Sequence, residues 1–139
     1  MAKKTLKVDY DYDFVFIGIV AAAKDYRLCW AMNNSLGIEL GKTDELELPV
    51  KGSKEPSWFS RYSYAVPGNE TVFLLLGNKG TAGYLIPEQK QVDYFLMIQQ
   101  LQDQRDKDLI LKKLLKTDLV QTAFFLDPSK LRSKENLLF

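Results

Sequence analysis

The sequence predicts an α+β domain: a mainly antiparallel β-sheet with two α-helices packed against it. Three observations carry this reading. Only two stretches keep apolar residues at helical spacing with recognisable ends. Between them, from Ile38 onward, about sixty residues stay extended and are broken only by short turns, which forces antiparallel pairing. Two helices are also too few to supply the crossovers of a doubly wound parallel sheet. A length of 139 residues fits one domain spanning residues 1–139.

The elements follow in order. Leu6, Val8, Tyr10 and Tyr12 alternate as one face of a half-exposed strand, and residues 14–20, apolar on both faces, read as a central covered strand. A helix is expected over residues 25–36, with Asp25 as its N-cap and Gly37 as its stop. Leu28, Cys29, Met32 and Leu36 form its buried stripe. Tyr26, Trp30 and Asn33 form a second stripe, which predicts that more than the sheet covers this helix.

Residues 45–48 alternate as a strand, and residues 51–56 are loop-like. Strands over 59–66 and 71–76 flank Pro67-Gly68-Asn69-Glu70, whose Pro-Gly pair suits a type II turn, so a hairpin is predicted. Residues 77–83 make a second loop, 84–86 a short strand broken by Pro87, and 92–98 a two-faced strand. The second helix is expected over 106–116, apolar at Ile110, Leu111, Leu114 and Leu115. Its acids Asp106 and Asp108 sit at the positive end, and Lys112, Lys113 and Lys116 at the negative end. The last strand, 120–126, stops at Asp127-Pro128, and Leu137-Leu138-Phe139 is expected to dock on the domain.

Composition excludes several chemistries. Nineteen Lys and Arg against eighteen Asp and Glu leave +1, which gives no strong pull toward nucleic acid or an anionic membrane. There is no histidine and a single cysteine, Cys29. An internal disulfide, a multi-cysteine zinc site, a Cys–His pair and a Ser-His-Asp triad are therefore impossible. Lys3, Lys4 and Lys7 precede an apolar run that ends in Ala21-Ala22-Ala23. Asp9, Asp11 and Asp13 cancel their charge, and the run reads as a strand entering a helix rather than as a secretory signal. Ten apolar residues also fall short of the roughly 20 that span a bilayer. A cytoplasmic location is the expectation.

Each motif has a bland reading beside the functional one. The D-x-D-x-D run 9–13 opens like a calcium loop, but Phe14 and Val20 stand where Gly and Glu are required, so a solvated edge strand is preferred. Residues 77–83 follow a strand as a phosphate loop does, yet lack the Gly-Lys-Thr order and a following helix. A hairpin connection is preferred, with Lys79 and Thr81 merely available to a ligand. Arg61, Tyr62 and Tyr64 with Trp58 and Phe59 mix a base with aromatics as an RNA-stacking surface would, but the RNA-binding signature is absent. Cys29 reads as a small hydrophobe. No cofactor pattern is found, and no cofactor is expected.

The remaining feature is Ile86-Pro87-Glu88-Gln89-Lys90-Gln91-Val92-Asp93-Tyr94. Pro87 cannot donate a ladder bond, so it suits the lead-in to a strand. Asp93 is unusual before an apolar strand; if inside, it must find donors. The preferred reading is a polar clasp in which Asp93 is largely buried and Glu88 lies nearer the surface. The alternative pairs Glu88 and Asp93 as carboxylates of a site. The segment resembles the IPExxxVDY family of small bacterial proteins at every fixed position: Ile86, Pro87, Glu88, Val92, Asp93 and Tyr94. Tyr26-Arg27-Leu28 and Asn33 in the first helix are similar to that family too. The resemblance implies no activity, so these residues are family positions rather than a catalytic set.

The leading functional expectation is a non-catalytic cytoplasmic interaction or accessory protein that binds another protein or itself. Acid–base residues are scarce while Tyr, Trp, Phe and Arg, the usual interface anchors, are plentiful. A small carboxylate-based enzyme or ligand-binding domain is the alternative, since glycosidases need only two carboxyl groups. An RNA-binding module is the third reading; nucleic acid and membrane are not the expected partners.

Overall fold

The computed structural model describes residues 12–139. The strand predicted over 6–12 and the acids Asp9 and Asp11 lie outside the described residues, except for Tyr12. Strand β1 (Val15–Val20) is buried on both faces, as its unbroken apolar run requires. It pairs antiparallel with β7 (Tyr94–Gln99) on one side and β8 (Thr122–Phe125) on the other. Strand β6 (Val72–Gly77) pairs with β7 and with β5 (Arg61–Ala65), and β2 (Gly41–Lys42) borders β5. The sheet order is β2-β5-β6-β7-β1-β8, with every pairing antiparallel. Strands β3 (Leu46–Leu48) and β4 (Ser57–Phe59) form a separate two-stranded sheet. The expected α+β architecture is what the chain adopts.

Alternation along the strands makes two cores. Ile17, Ile19, Tyr62, Phe73, Leu75, Leu96 and Ile98 face α1 (Asp25–Leu36) and α2 (Asp106–Leu115), which add Leu28, Met32 and Leu114. Phe16, Leu74, Leu76, Phe95 and Met97 face the opposite side, where Leu46, Phe59, Leu85, Ile86, Val92, Leu131 and Leu137 cover them. Both helices thus lie on one face. Phe16 stacks on Phe95 at 4.7 Å between ring centroids.

The hairpin β5–β6 turns at Pro67-Gly68, and Gly68 sits at φ +83, the left-handed value that a type II turn demands of its third residue. Several expectations need correction. The predicted strand over 59–66 breaks at Ser60, so that β4 and β5 belong to different sheets. Residues 84–86 form no strand: Tyr84 keeps a single bridge to Lys79, while Leu85 and Ile86 are buried with their N–H groups turned to Asn78. Val92 precedes β7 as a buried plug.

Asp25 is not the N-cap of α1. Lys24 holds that position without a side-chain bond, and Asp25 Oδ1 accepts the N–H of Tyr26. The second stripe of α1 is not covered either: Tyr26 is 61% and Trp30 71% exposed. Asn33 alone is used, donating to the carbonyl of Leu40 and accepting its N–H. At the C-terminus Leu137 docks, but Leu138 and Phe139 stay about half exposed. The loop 77–83 is packed rather than loose. A Cβ on Gly80 would stand 2.2 Å from Ser57 Oγ and 2.6 Å from the Phe59 ring.

Candidate functional site

The motif residues 86–94 meet at one end of the sheet, where β6 stops and the chain must return into β7. Asn78, fully buried just past the end of β6, organises the return. Its amide nitrogen donates to the carbonyls of Gln89 and Val92, both at 2.8 Å, and its Oδ1 accepts the N–H of Ile86 at 2.9 Å. Its backbone donates to Asp93 and accepts from Leu85. A single side chain therefore ties down the loop from residue 85 to 93. Within it Pro87 begins a 3₁₀ turn, Pro87–Gln89, while Ile86 and Val92 insert into the core on either side.

Glu88 and Asp93 sit in the reverse of their expected environments. Glu88 is half-buried, and both carboxylate oxygens are occupied. Oε2 accepts the N–H of Ser133 and Oε1 its hydroxyl, each at 2.8 Å. Burial by itself would raise the Glu88 carboxyl. The bonds from Ser133, with backbone N–H groups at Glu88 and Arg132, outweigh it and hold the group below the usual carboxylate range. Asn136 adds a bond to the carbonyl of Leu85 at 2.8 Å, so the C-terminal segment is strapped over the motif.

Asp93, expected to be buried, is exposed. Its Oδ2 accepts the N–H of Ala21 at 2.8 Å, and its backbone N–H donates to Ile19. The physical reason is position: Asp93 precedes β7 at the sheet end, where β1 has just finished and water reaches in. Tyr94 is half-buried and donates its hydroxyl to the carbonyl of Ala23 at 2.5 Å. Burial first, then the carboxylates of Asp25 and Asp93, push this phenol up to about 12. The first half of the motif thus holds the C-terminal segment, and the second half holds the lead into α1.

Beside it lies an open cleft of about 520 Å³, with Lys24, Asp25, Ser60, Lys79, Asp93 and Tyr94 among its lining. Its charges are of both signs. Asp25 bridges Lys42 at 3.9 Å, and Asp93 is taken by Ala21. Among the described residues no group of three or more acids or Cys is placed to hold a metal ion. Cys29 is buried near the carbonyl of Leu40. Burial pushes its thiol up, the Asn33 amide opposes this, and Asp25 adds to it. These groups can bind charge weakly at the surface, but they assemble no nucleophile with a base.

The aromatic set of the β4–β5 region is divided rather than assembled. Phe59 is buried in one core and Tyr62 in the other. Arg61 donates to the carbonyl of Asp44 and lies over the Phe139 ring. Thr81 is engaged with the backbone of Trp58. No helix of the described residues is long and apolar enough to cross a membrane. Neither a protein-family model nor a curated protein matches the chain.

Sequence reasoning missed Asn78, Ser133 and Asn136. Only Asn78 carried a signal: a polar amide directly after the six-residue strand Val72–Gly77, where strands disfavour Asn.

Proposed function

We propose that this chain is a non-catalytic cytoplasmic interaction protein, related to the IPExxxVDY family, that docks on another protein through the outer face of α1. The observation that carries the reading is the pair Tyr26 and Trp30. They stand one helical turn apart on a twelve-residue helix, both mostly exposed, with exposed Arg27 beside them. Those three residue types dominate the centres of protein interfaces. The motif supports the same reading: its polar groups hold loop, C-terminal segment and helix lead in place, which makes the helix a rigid platform.

The exposed arc of α1 carries Arg27 and no acid, with Lys24 at its start. A surface of one sign complements an acidic partner rather than itself. The test is a photo-crosslinking amino acid placed at position 30 in the native host, with the same group at exposed Lys54 as control. A specific adduct at 30, followed by reconstitution in which Trp30→Ala and Arg27→Glu each weaken binding about tenfold or more, supports the reading. Equal labelling from both positions rejects it.

A further inference from the structure

A groove of about 340 Å³ lies where the end of α1, α2 and the turn of the β5–β6 hairpin meet, at the opposite end of β6 and β7 from the motif. Its volume falls within the roughly 300–1,000 Å³ of small-molecule sites. Leu36, Val66, Phe73, Leu101, Leu109 and Ile110 supply its apolar lining, which gives the half-exposed Leu109 a place as one of its walls. Polar ties fix those walls. The hydroxyls of Thr117 and Ser35 both reach the carbonyl of Lys113, at 2.7 and 3.2 Å, and so pin the end of α1 to the end of α2. Buried Thr71 donates its hydroxyl to the carbonyl of Gln100 at 2.7 Å, which pins the hairpin to the chain leaving β7. Asn69 Oδ1 accepts the N–H of Thr71 at 2.8 Å and fixes the turn. Apolar side chains that could otherwise close on one another are held apart, so the hollow is formed before any ligand arrives.

We propose that this groove binds a small carboxylate with an unbranched aliphatic chain, its tail among the apolar side chains and its head at Lys113. The site uses neither Tyr26 nor Trp30, so it stands apart from the docking face of α1. Charge sets the direction of the ligand. Asp106 and Lys113 both line the groove, and their separation along α2 is about 10 Å. Among the described residues neither has an ion-pair partner. The Asp106 end is balanced, reading Arg105-Asp106-Lys107-Asp108, whereas Lys112 and Lys116 flank Lys113 with no acid before Asp118. The macrodipole places about half a negative charge at that end of the helix, which offsets only a fraction of three lysines. An anionic head therefore gains at Lys113 more than a cationic head gains at Asp106. With C–C bonds of about 1.5 Å, a zigzag chain of about eight carbons covers about 9 Å and stops short of Asp106.

Sodium octanoate, kept below micelle formation, is titrated into the isotope-labelled full chain and followed by two-dimensional NMR. The expected result is saturable shifts at the amides of Val66, Leu101, Leu109 and Ile110, while that of Trp30 stays still. Octylammonium, the same tail with the opposite charge, should bind about fivefold more weakly. Hexanoate should bind about tenfold more weakly, since each methylene withdrawn from apolar contact costs about three- to fourfold. Lys113→Glu, at an exposed position, should weaken octanoate about fivefold and reverse the preference between the two heads. Leu109→Gln should weaken both probes alike. No saturable shift at the groove, shifts spread equally to Trp30, or a head preference that Lys113→Glu leaves unchanged overturns the proposal. So do groove amides that move on dilution of the protein alone, for then a second copy of the chain fills the groove.

Discussion

Glu88 and Ser133, 45 positions apart in the chain, are joined twice: one carboxylate oxygen takes the serine N–H and the other its hydroxyl, both at 2.8 Å. A carboxylate that accepts both the N–H and the hydroxyl of one residue fixes the backbone of the segment that bonds it. The pairing places Leu131 and Leu137 against Ile86 and Val92, so the polar contact and the apolar cover depend on one another.

Glu88→Gln should therefore destabilise the fold by about 1–2 kcal/mol, because an amide can accept one of the two bonds and presents a donor to the other. The pH dependence has a definite sign. The folded carboxyl lies below its ordinary value, so its stabilisation is present above the ordinary carboxylate range, near pH 4–5, and disappears as pH falls through the lower folded value. Thermal melts between pH 7 and pH 3 should show wild type losing more stability over this window than Glu88→Gln. Parallel losses in both proteins would contradict the account.

Asn78 should be more sensitive than either motif carboxylate. Asn78→Asp keeps the shape but turns an oxygen toward the carbonyls of Gln89 and Val92, which its amide now satisfies. Either a buried charge or an unpaired carbonyl results, at a cost of about 3 kcal/mol or more. Urea unfolding of Asn78→Asp and Glu88→Gln side by side should rank Asn78→Asp as the weaker protein.

What was legible in the sequence follows from the range of the interactions that decide it. Strands such as Val15–Val20 and Tyr94–Gln99 were readable because apolar patterning is local, and the Pro67-Gly68 turn because φ is set residue by residue. The two bonds from Ser133 to Glu88 and the five bonds of Asn78 were not, since each joins segments whose adjacency only the finished fold creates. Asp93 was misjudged for a related reason. The apolar pattern after it announces a strand but not where the strand leaves the sheet, and Asp93 falls just outside that limit. Trp30 falls on a stripe expected to be covered yet is exposed, because helical spacing cannot distinguish a core face from an exposed apolar one.

Asp93→Asn should consequently be mild. The exposed side chain makes one bond, to the N–H of Ala21, and the amide oxygen of asparagine can replace it. A loss under about 1 kcal/mol is expected, visible as a melting-temperature shift smaller than that of Glu88→Gln. The reverse order would mean that Asp93, not Glu88, carries the polar clasp.

Tyr94 gives the alkaline counterpart. Its hydroxyl reaches Ala23 only while protonated, and its folded value of about 12 stands above the ordinary 10 of a tyrosine. A raised folded value means that its stabilisation is complete below pH 10 and is lost as pH rises from there through about 12. Tyr94→Phe removes the hydrogen bond at neutral pH, at a cost of about 1 kcal/mol. The same change deletes the alkaline penalty, so the difference between wild type and variant should shrink from pH 9 to pH 12. Denaturant midpoints measured across that range check it. A difference that stays constant would show that the Tyr94 hydroxyl is not what holds the lead of α1 to the sheet.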